Sequence, residues 1–282
     1  MNLHERIRDQ LQQMLAHPGC NEAALNNALR LLAKYRSALI QGTLLQVHGT
    51  TVLGGPFAGM DFVEHSAEGC HIPKLLGCYE QQLHPVWMNA IRRGYEAVLN
   101  IGCAEGYYAV GLARLMKSAR VIACDTNAAA QAAVAELARR NGVADRVEIG
   151  GLFQPAAFAA WEGRKSLVVC DVEGAEIDLL QPEIAPALAS MDLVVECHEM
   201  PGRPVLAELA RRFAATHQMW AIRQQPQAVA LPEVFASLGH LDQLLAVWEW
   251  RSGPTPWLIM QSLNGPLAMV SPALIEKSTG GE

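Results

Sequence analysis

Residues 98 to 113 read Val-Leu-Asn-Ile-Gly-Cys-Ala-Glu-Gly-Tyr-Tyr-Ala-Val-Gly-Leu-Ala, an apolar strand that passes through a glycine-bearing turn into an apolar helix. A turn of this kind needs positions free of a Cβ, because a cofactor must approach the backbone at the helix N-terminus. Strand-like and helix-like segments then alternate. Strands are expected at 97–101, 120–124, 146–149, 166–170 and 192–197, with helices at 106–116, 128–141, 153–161 and 175–189. That alternation implies an α/β fold, a doubly wound, Rossmann-like and mostly parallel sheet. A helix at 203–216, strands at 218–223 and 257–262, and a helix at 232–250 between those strands complete the pattern.

A dinucleotide fingerprint Gly-x-Gly-x-x-Gly opening at Gly102 would need glycine at 104 and 107, where the chain has Ala104 and Tyr107. No Gly-Lys-Ser or Gly-Lys-Thr follows the turn, so NAD and a phosphate-binding P-loop are both disfavoured. What remains, Gly102, Ala104 and Gly106, resembles motif I of the class I S-adenosylmethionine (SAM) methyltransferases, with Asn100 and Ala104 departing from the consensus acidic-x-Gly-x-Gly-x-Gly. The resemblance implies SAM as cofactor, held by a loop of Asn100, Gly102, Cys103, Ala104 and Gly106. Asn100 supplies no counter-charge, but its side-chain carbonyl suits the cofactor's ammonium. Val121 to Cys124 form a second apolar strand ending in Asp125, at the place where a carboxylate holds a ribose diol in a βαβ unit. Thr126 stands beside it, and either Thr126 or Asn127 caps the next helix. Gly150 and Gly151 follow the third strand, where class I enzymes pass backbone close to the adenine; a contact is expected near Gly151 and Leu152.

Leu167 to Leu180 repeat the strand, turn and helix order, and contain Asp-Val-Glu-Gly-Ala-Glu at 171–176. This string resembles the signature of the FkbM-type methyltransferases, over roughly residues 76–200 of the chain. The resemblance implies seven strands, the last antiparallel, and O-methylation of a hydroxyl on a small metabolite or sugar. Because ligands in open parallel sheets sit outside the C-terminal strand ends, Asn100, Asp125, Asp171 and the run Glu196 to Glu199 share one rim. His198 is the first candidate for general base, since neutral imidazole near pH 7 accepts a hydroxyl proton. Asp171 is the alternative base, or a group that orients acceptor or cofactor. Glu173 and Glu176 have an ordinary explanation in the helix dipole. Asp171, Glu173, Glu196 and His198 could surround a divalent ion, but their spacing does not demand one and no metal is expected. Cys70, His71 and Cys78 lack a fourth ligand for zinc. No Gly-x-Ser-x-Gly or His-Glu-x-x-His occurs, so serine hydrolase and zinc protease chemistries have no foothold.

Ahead of this core, residues 3–16 and 22–40 carry apolar positions at helical spacing, with Leu25, Leu29, Leu32 and Tyr35 among them and a break at Pro18-Gly19. A helical hairpin is expected, followed over Thr43 to Val63 by a small strand-rich cap. The expected division is therefore 1–75 for hairpin and cap, 76–263 for the SAM-binding domain and 264–282 for a tail. Lys74 to Leu83 lead into a helix; the resemblance to class I enzymes, in which segments here often close over SAM, makes Tyr79 and Glu80 candidate contacts, while a dipole partner at an exposed helix start is the ordinary alternative for Glu80. The N-terminal helices make a homodimer plausible. A net charge of −6 argues against nucleic acid as main substrate, and the Arg pairs at 92–93, 139–140 and 211–212 are read as solvent-facing helix ends. Without a membrane-length apolar run or an apolar leader, a cytoplasmic location is expected. The seven cysteines are expected to be reduced packing thiols. Two rival readings remain open: a macromolecular acceptor, and a SAM-binding scaffold without turnover.

Overall fold

Short runs rich in Val, Ile and Leu, cut off by glycine or polar residues, form strands β1 (Ala97–Ile101), β2 (Arg120–Cys124), β3 (Val147–Gly150), β4 (Ser166–Cys170) and β5 (Asp192–Glu196). Runs without polar alternation need cover on both faces, and β1, β4 and β5 are buried at every position. The computed structural model describes residues 2–16, 21–64, 66, 70–225, 229–251, 253 and 255–264. Together with β6 (His217–Ile222) and β7 (Trp257–Ser262), the five strands make one seven-stranded sheet in the order β3-β2-β1-β4-β5-β7-β6. β1 to β5 run parallel, and β7 enters antiparallel between β5 and β6. This is the doubly wound, Rossmann-like α/β architecture read from the sequence. Strand order reverses at β1, which pairs with β2 on one side and β4 on the other, and the crevice beyond the strand ends there is where such sheets bind ligands.

Helices cover both faces: α1 (Leu3–Ala16), α2 (Glu22–His48), α3 (His71–Leu76), α4 (His84–Arg93), α5 (Tyr107–Leu115), α6 (Ala128–Arg140), α7 (Glu176–Leu179), α8 (Val205–Phe213) and α9 (His240–Ala246). Alternate residues of β1 serve opposite layers. Val98 packs with Trp87, Leu112 and Leu137, whereas Leu99 packs with Phe158, Leu188 and Phe213. The first layer continues without a break into Ile40, Leu44, Phe57, Phe62 and Ile72. The segment ahead of β1 therefore shares its core with the sheet. Gly111 lies under Phe57, and a Cβ there would meet the ring at 2.6 Å, so α5 and this segment seat against each other through a missing side chain.

Several expected elements differ. The strand-rich cap over Thr43 to Val63 is not there: α2 runs on to His48, because Leu44 is fully buried in the core and that burial outweighs the local preference of Thr43 and Val47. Gly49, at φ +63°, ends the helix, and only a single bridge, Thr51 to Asp61, follows. The expected helix at 175–189 is one turn, since Pro182 and Pro186 cannot continue it; a 3₁₀ segment covers Pro186–Ser190. The 153–161 segment is 3₁₀ over Pro155–Trp161, and the 232–250 helix is divided at Gly239 into a 3₁₀ turn, Glu233–Phe235, and α9. Arg93 is not a solvent-facing helix end: its side chain is buried and pairs with Asp192 at 3.1 Å. The break at Pro18-Gly19 and the tail beyond Asn264 lie outside the described residues. Cys70, Cys78, Cys103, Cys124, Cys170 and Cys197 are free and buried, while Cys20 lies outside that set. Among the described residues no helix is long and apolar enough to cross a membrane.

Candidate functional site

Four parallel strands end around one cavity of about 310 Å³. β1 contributes Ile101 and Gly102, β2 contributes Cys124, Asp125 and Thr126, β3 leads into Gly151, Leu152 and Phe153, and β4 leads into Asp171, Val172 and Glu173. The volume falls in the range of small-molecule sites. Its floor exists because Gly102 has no side chain: at φ +75°, a Cβ on residue 102 would lie 1.6 Å from the Asp171 carbonyl oxygen. Ala104 takes φ +45°, and its amide donates to Asp125 Oδ2 at 3.0 Å. Asp125 Oδ1 accepts from the Asn127 amide at 2.8 Å, and the Asn127 side chain caps α6 through Ala129. Capping thus falls to Asn127, and Asp125 and Thr126 are left facing the cavity.

Of the sequence-derived cofactor residues, Gly102, Asp125, Thr126, Gly151, Leu152 and Asp171 line this cavity. Asn100, on β1, and Cys103, Ala104 and Gly106, in the turn that follows, are not on its lining. Asn100 is buried and its Oδ1 has no hydrogen-bond partner among the described residues. An orphaned buried acceptor is costly unless a donor arrives. Glu105, in the same loop, forms a buried pair with Lys74 at 2.5 Å and accepts from the Ser66 hydroxyl at 2.7 Å; burial raises its carboxyl and Lys74 more than offsets this, holding it below the usual range. Neither Lys74 nor Glu105 was singled out in the sequence, because a Lys and a Glu 31 positions apart carry no spacing signal.

Glu80 is not on the cofactor cavity. Its carboxylate is buried and is taken up by Tyr108, Arg251 and the Trp257 indole N–H, the last at 3.2 Å. Arg251 also binds Glu196 and, through Nε at 3.0 Å, Glu249. Burial and the nearby Glu196 charge push the Glu80 carboxyl above the usual carboxylate range, against the pull of Arg251. One guanidinium thereby ties the segment before α4 to β5 and to the loop before β7. The exposed-helix-start reading of Glu80 fails because the chain folds that residue, at φ +47°, inward.

A second cavity, about 230 Å³, adjoins the first through shared Asp171 and Glu173. Tyr79, Glu196, His198, Glu249, Arg251 and Thr255 are among the residues that line its remainder. His198 Nδ1 lies 2.7 Å from Glu176 Oε1. On its other side, Nε2 faces Glu173 Oε2 at 3.4 Å, Asp171 Oδ1 at 3.7 Å and Glu196 Oε1 at 3.9 Å. Burial lowers the imidazole pKa, but the Glu176 hydrogen bond and the Glu196 and Glu173 charges outweigh it, leaving the pKa above its ordinary 6.5. The expected pair, His198 and Asp171, is therefore brought to one wall between two cavities.

Asp171, Glu196 and His198 each bring one ligand atom within 4.8 Å of the others. The Glu196 oxygen that faces His198 is the one Arg251 engages, so a guanidinium already supplies positive charge at that corner.

No family model matches the chain, and no curated protein matches it. Among solved structures it is similar to the O-methyltransferase from Bacillus cereus in complex with S-adenosylhomocysteine, at 17% identity over 64% of this chain and 79% of that one, TM-score 0.42. It is also similar to the O-methyltransferase TomG from Streptomyces achromogenes, involved in tomaymycin synthesis and in complex with SAM, at 17% identity over 66% and 81%, TM-score 0.43. A third is cofactor-bound Rv0187 from MTB, at 16% identity over 90% and 95%, TM-score 0.42.

Proposed function

We propose that the chain is a SAM-dependent methyltransferase of the FkbM type that O-methylates a hydroxyl on a small metabolite or sugar. The observation that carries this reading is the meeting of two cavities at Asp171 and Glu173, one built on a glycine floor beside Asp125 and the other walled by His198. The residues present fit SAM. Asp125 offers a carboxylate to the ribose diol, and the open backbone at Gly151 suits an adenine edge.

When bound, SAM supplies a methyl group already activated on a sulfonium. The protein's task is then to align an acceptor oxygen and remove its proton. Alignment contributes about 7 to 11 kcal/mol in favourable cases, and a positioned base about 10²- to 10⁴-fold in rate. His198 Nε2 is the proton acceptor in this reading, and Asp171, whose Oδ1 lies 3.7 Å from that nitrogen, orients the acceptor hydroxyl. Arg251, itself on the lining, holds Glu196 of that wall in place.

A screen of hydroxylated metabolites and sugars with SAM, read by S-adenosylhomocysteine release, tests the reaction. Only the neutral imidazole accepts a proton, and the His198 pKa is raised, so kcat is expected to climb with pH along a limb whose midpoint lies above 6.5. A limb below 6.5, or turnover confined to amine or thiol acceptors, would count against it.

A further inference from the structure

Glu176 is a wholly buried carboxylate at the first position of the one-turn helix α7. Its Oε1 accepts from the Gly174 amide at 3.1 Å and contacts His198 Nδ1 at 2.7 Å, and its Oε2 has no partner among the described residues. A dipole partner at a helix start would stay in solvent, where carrying its charge costs little. A turn support needs only one acceptor oxygen, which a glutamine supplies without a buried charge. What glutamine does not supply is a full negative charge against the imidazole.

We propose that Glu176 is a positioning residue for His198: it keeps the neutral ring in the Nδ1–H tautomer, with the Nε2 lone pair turned to the acceptor cavity, and stabilises the imidazolium that forms there. The proposal rests on the role given to His198 above. A carboxylate accepts only, so the ring nitrogen 2.7 Å from it carries the hydrogen. The proton then has one place to go: the acceptor O–H bond breaks, its electron pair stays on oxygen, and the proton bonds to Nε2. Other charges face the ring from Asp171 and Glu173 beyond β4 and from Glu196 on β5, the last neutralised by Arg251. Glu199 is turned away, accepting from the Val205 and Leu206 amides at the start of α8. Among the described residues Glu176 alone touches Nδ1.

The experiment is a nitrogen-15 and carbon-13 NMR titration of the histidine rings in the full chain, with His198 assigned by its loss in His198→Asn. It needs neither cofactor nor acceptor, so its outcome is separable from that of the methyltransferase reading. In the wild type the neutral His198 ring is expected as the Nδ1–H tautomer. In Glu176→Gln, which retains an oxygen for Gly174, the titration midpoint is expected to fall while the circular dichroism and melting temperature stay close to wild type. With an acceptor in hand, kcat is expected to drop at least about tenfold at unchanged KM, and the acid limb to move to lower pH. A wild-type ring in the Nε2–H tautomer, readable even if the variant does not fold, would overturn the proposal. So would an unmoved midpoint in Glu176→Gln.

Discussion

His198→Ala is expected to slow methyl transfer by about 10²- to 10⁴-fold while leaving SAM affinity within about threefold. The split follows from where the side chain stands. His198 lines the second cavity, proposed for the acceptor, and not the first, proposed for the cofactor, and among the described residues the two share Asp171 and Glu173 alone. Removing the ring takes away the proton acceptor without touching Gly102, Asp125 or Gly151. Residual turnover is expected because alignment beside an activated methyl survives the loss of the base. Single-turnover rates on a responsive acceptor, together with SAM titration, read both halves. A rate within tenfold of wild type would shift the proton to Asp171 or to solvent.

Gly102→Ala is expected to abolish detectable SAM binding, a loss of at least about 100-fold, or about 2.7 kcal/mol. The new Cβ would sit 1.6 Å from the Asp171 carbonyl oxygen in a backbone at φ +75°, so both the strain of a left-handed alanine and a backbone collision act together. Relief requires β1 and β4 to part at their C-terminal ends, which opens the cavity floor and displaces Asp171. Gly239→Ala is the control: it lies off the cavity lining at φ −60°, and its Cβ would meet nothing within 4 Å among the described residues. A Gly102→Ala protein that binds SAM like the wild type would mean that the loop is not the cofactor floor.

The sheet was legible because its information is local. Five runs such as Val98 to Ile101 and Val121 to Cys124 are predominantly apolar and are stopped by glycine or a polar residue, and each became a parallel strand at nearly the expected bounds. Gly102, Asp125, Gly151 and Asp171 were legible for the same reason, each standing one residue beyond a strand end. The helices were read less well where punctuation was overlooked: Pro182 and Pro186 cut short the segment after β4, and the burial of Leu44 carried α2 past the glycine and β-branched residues at 42 and 43. Arg251 and Glu249 lie more than 50 positions beyond Glu196. Their place on the second cavity follows from β7 entering between β5 and β6, which no local pattern encodes. Even so, Trp248-Glu249-Trp250-Arg251 is a signal of its own, two charges alternating with two tryptophans, where an inward-facing ion pair accounts for both. Glu176 was visible in the sequence but assigned to the dipole; its burial, which only the fold reveals, gives it to His198.

Calorimetric titration of the purified chain with SAM, S-adenosylhomocysteine and NAD, repeated on Asp125→Ala, tests the central claim most directly. Binding of both sulfur compounds with Kd on the order of micromolar, no heat with NAD, and a loss of at least about tenfold in the variant is the expected result. Binding of NAD in their place, or no binding of either sulfur compound by the wild type, would contradict it.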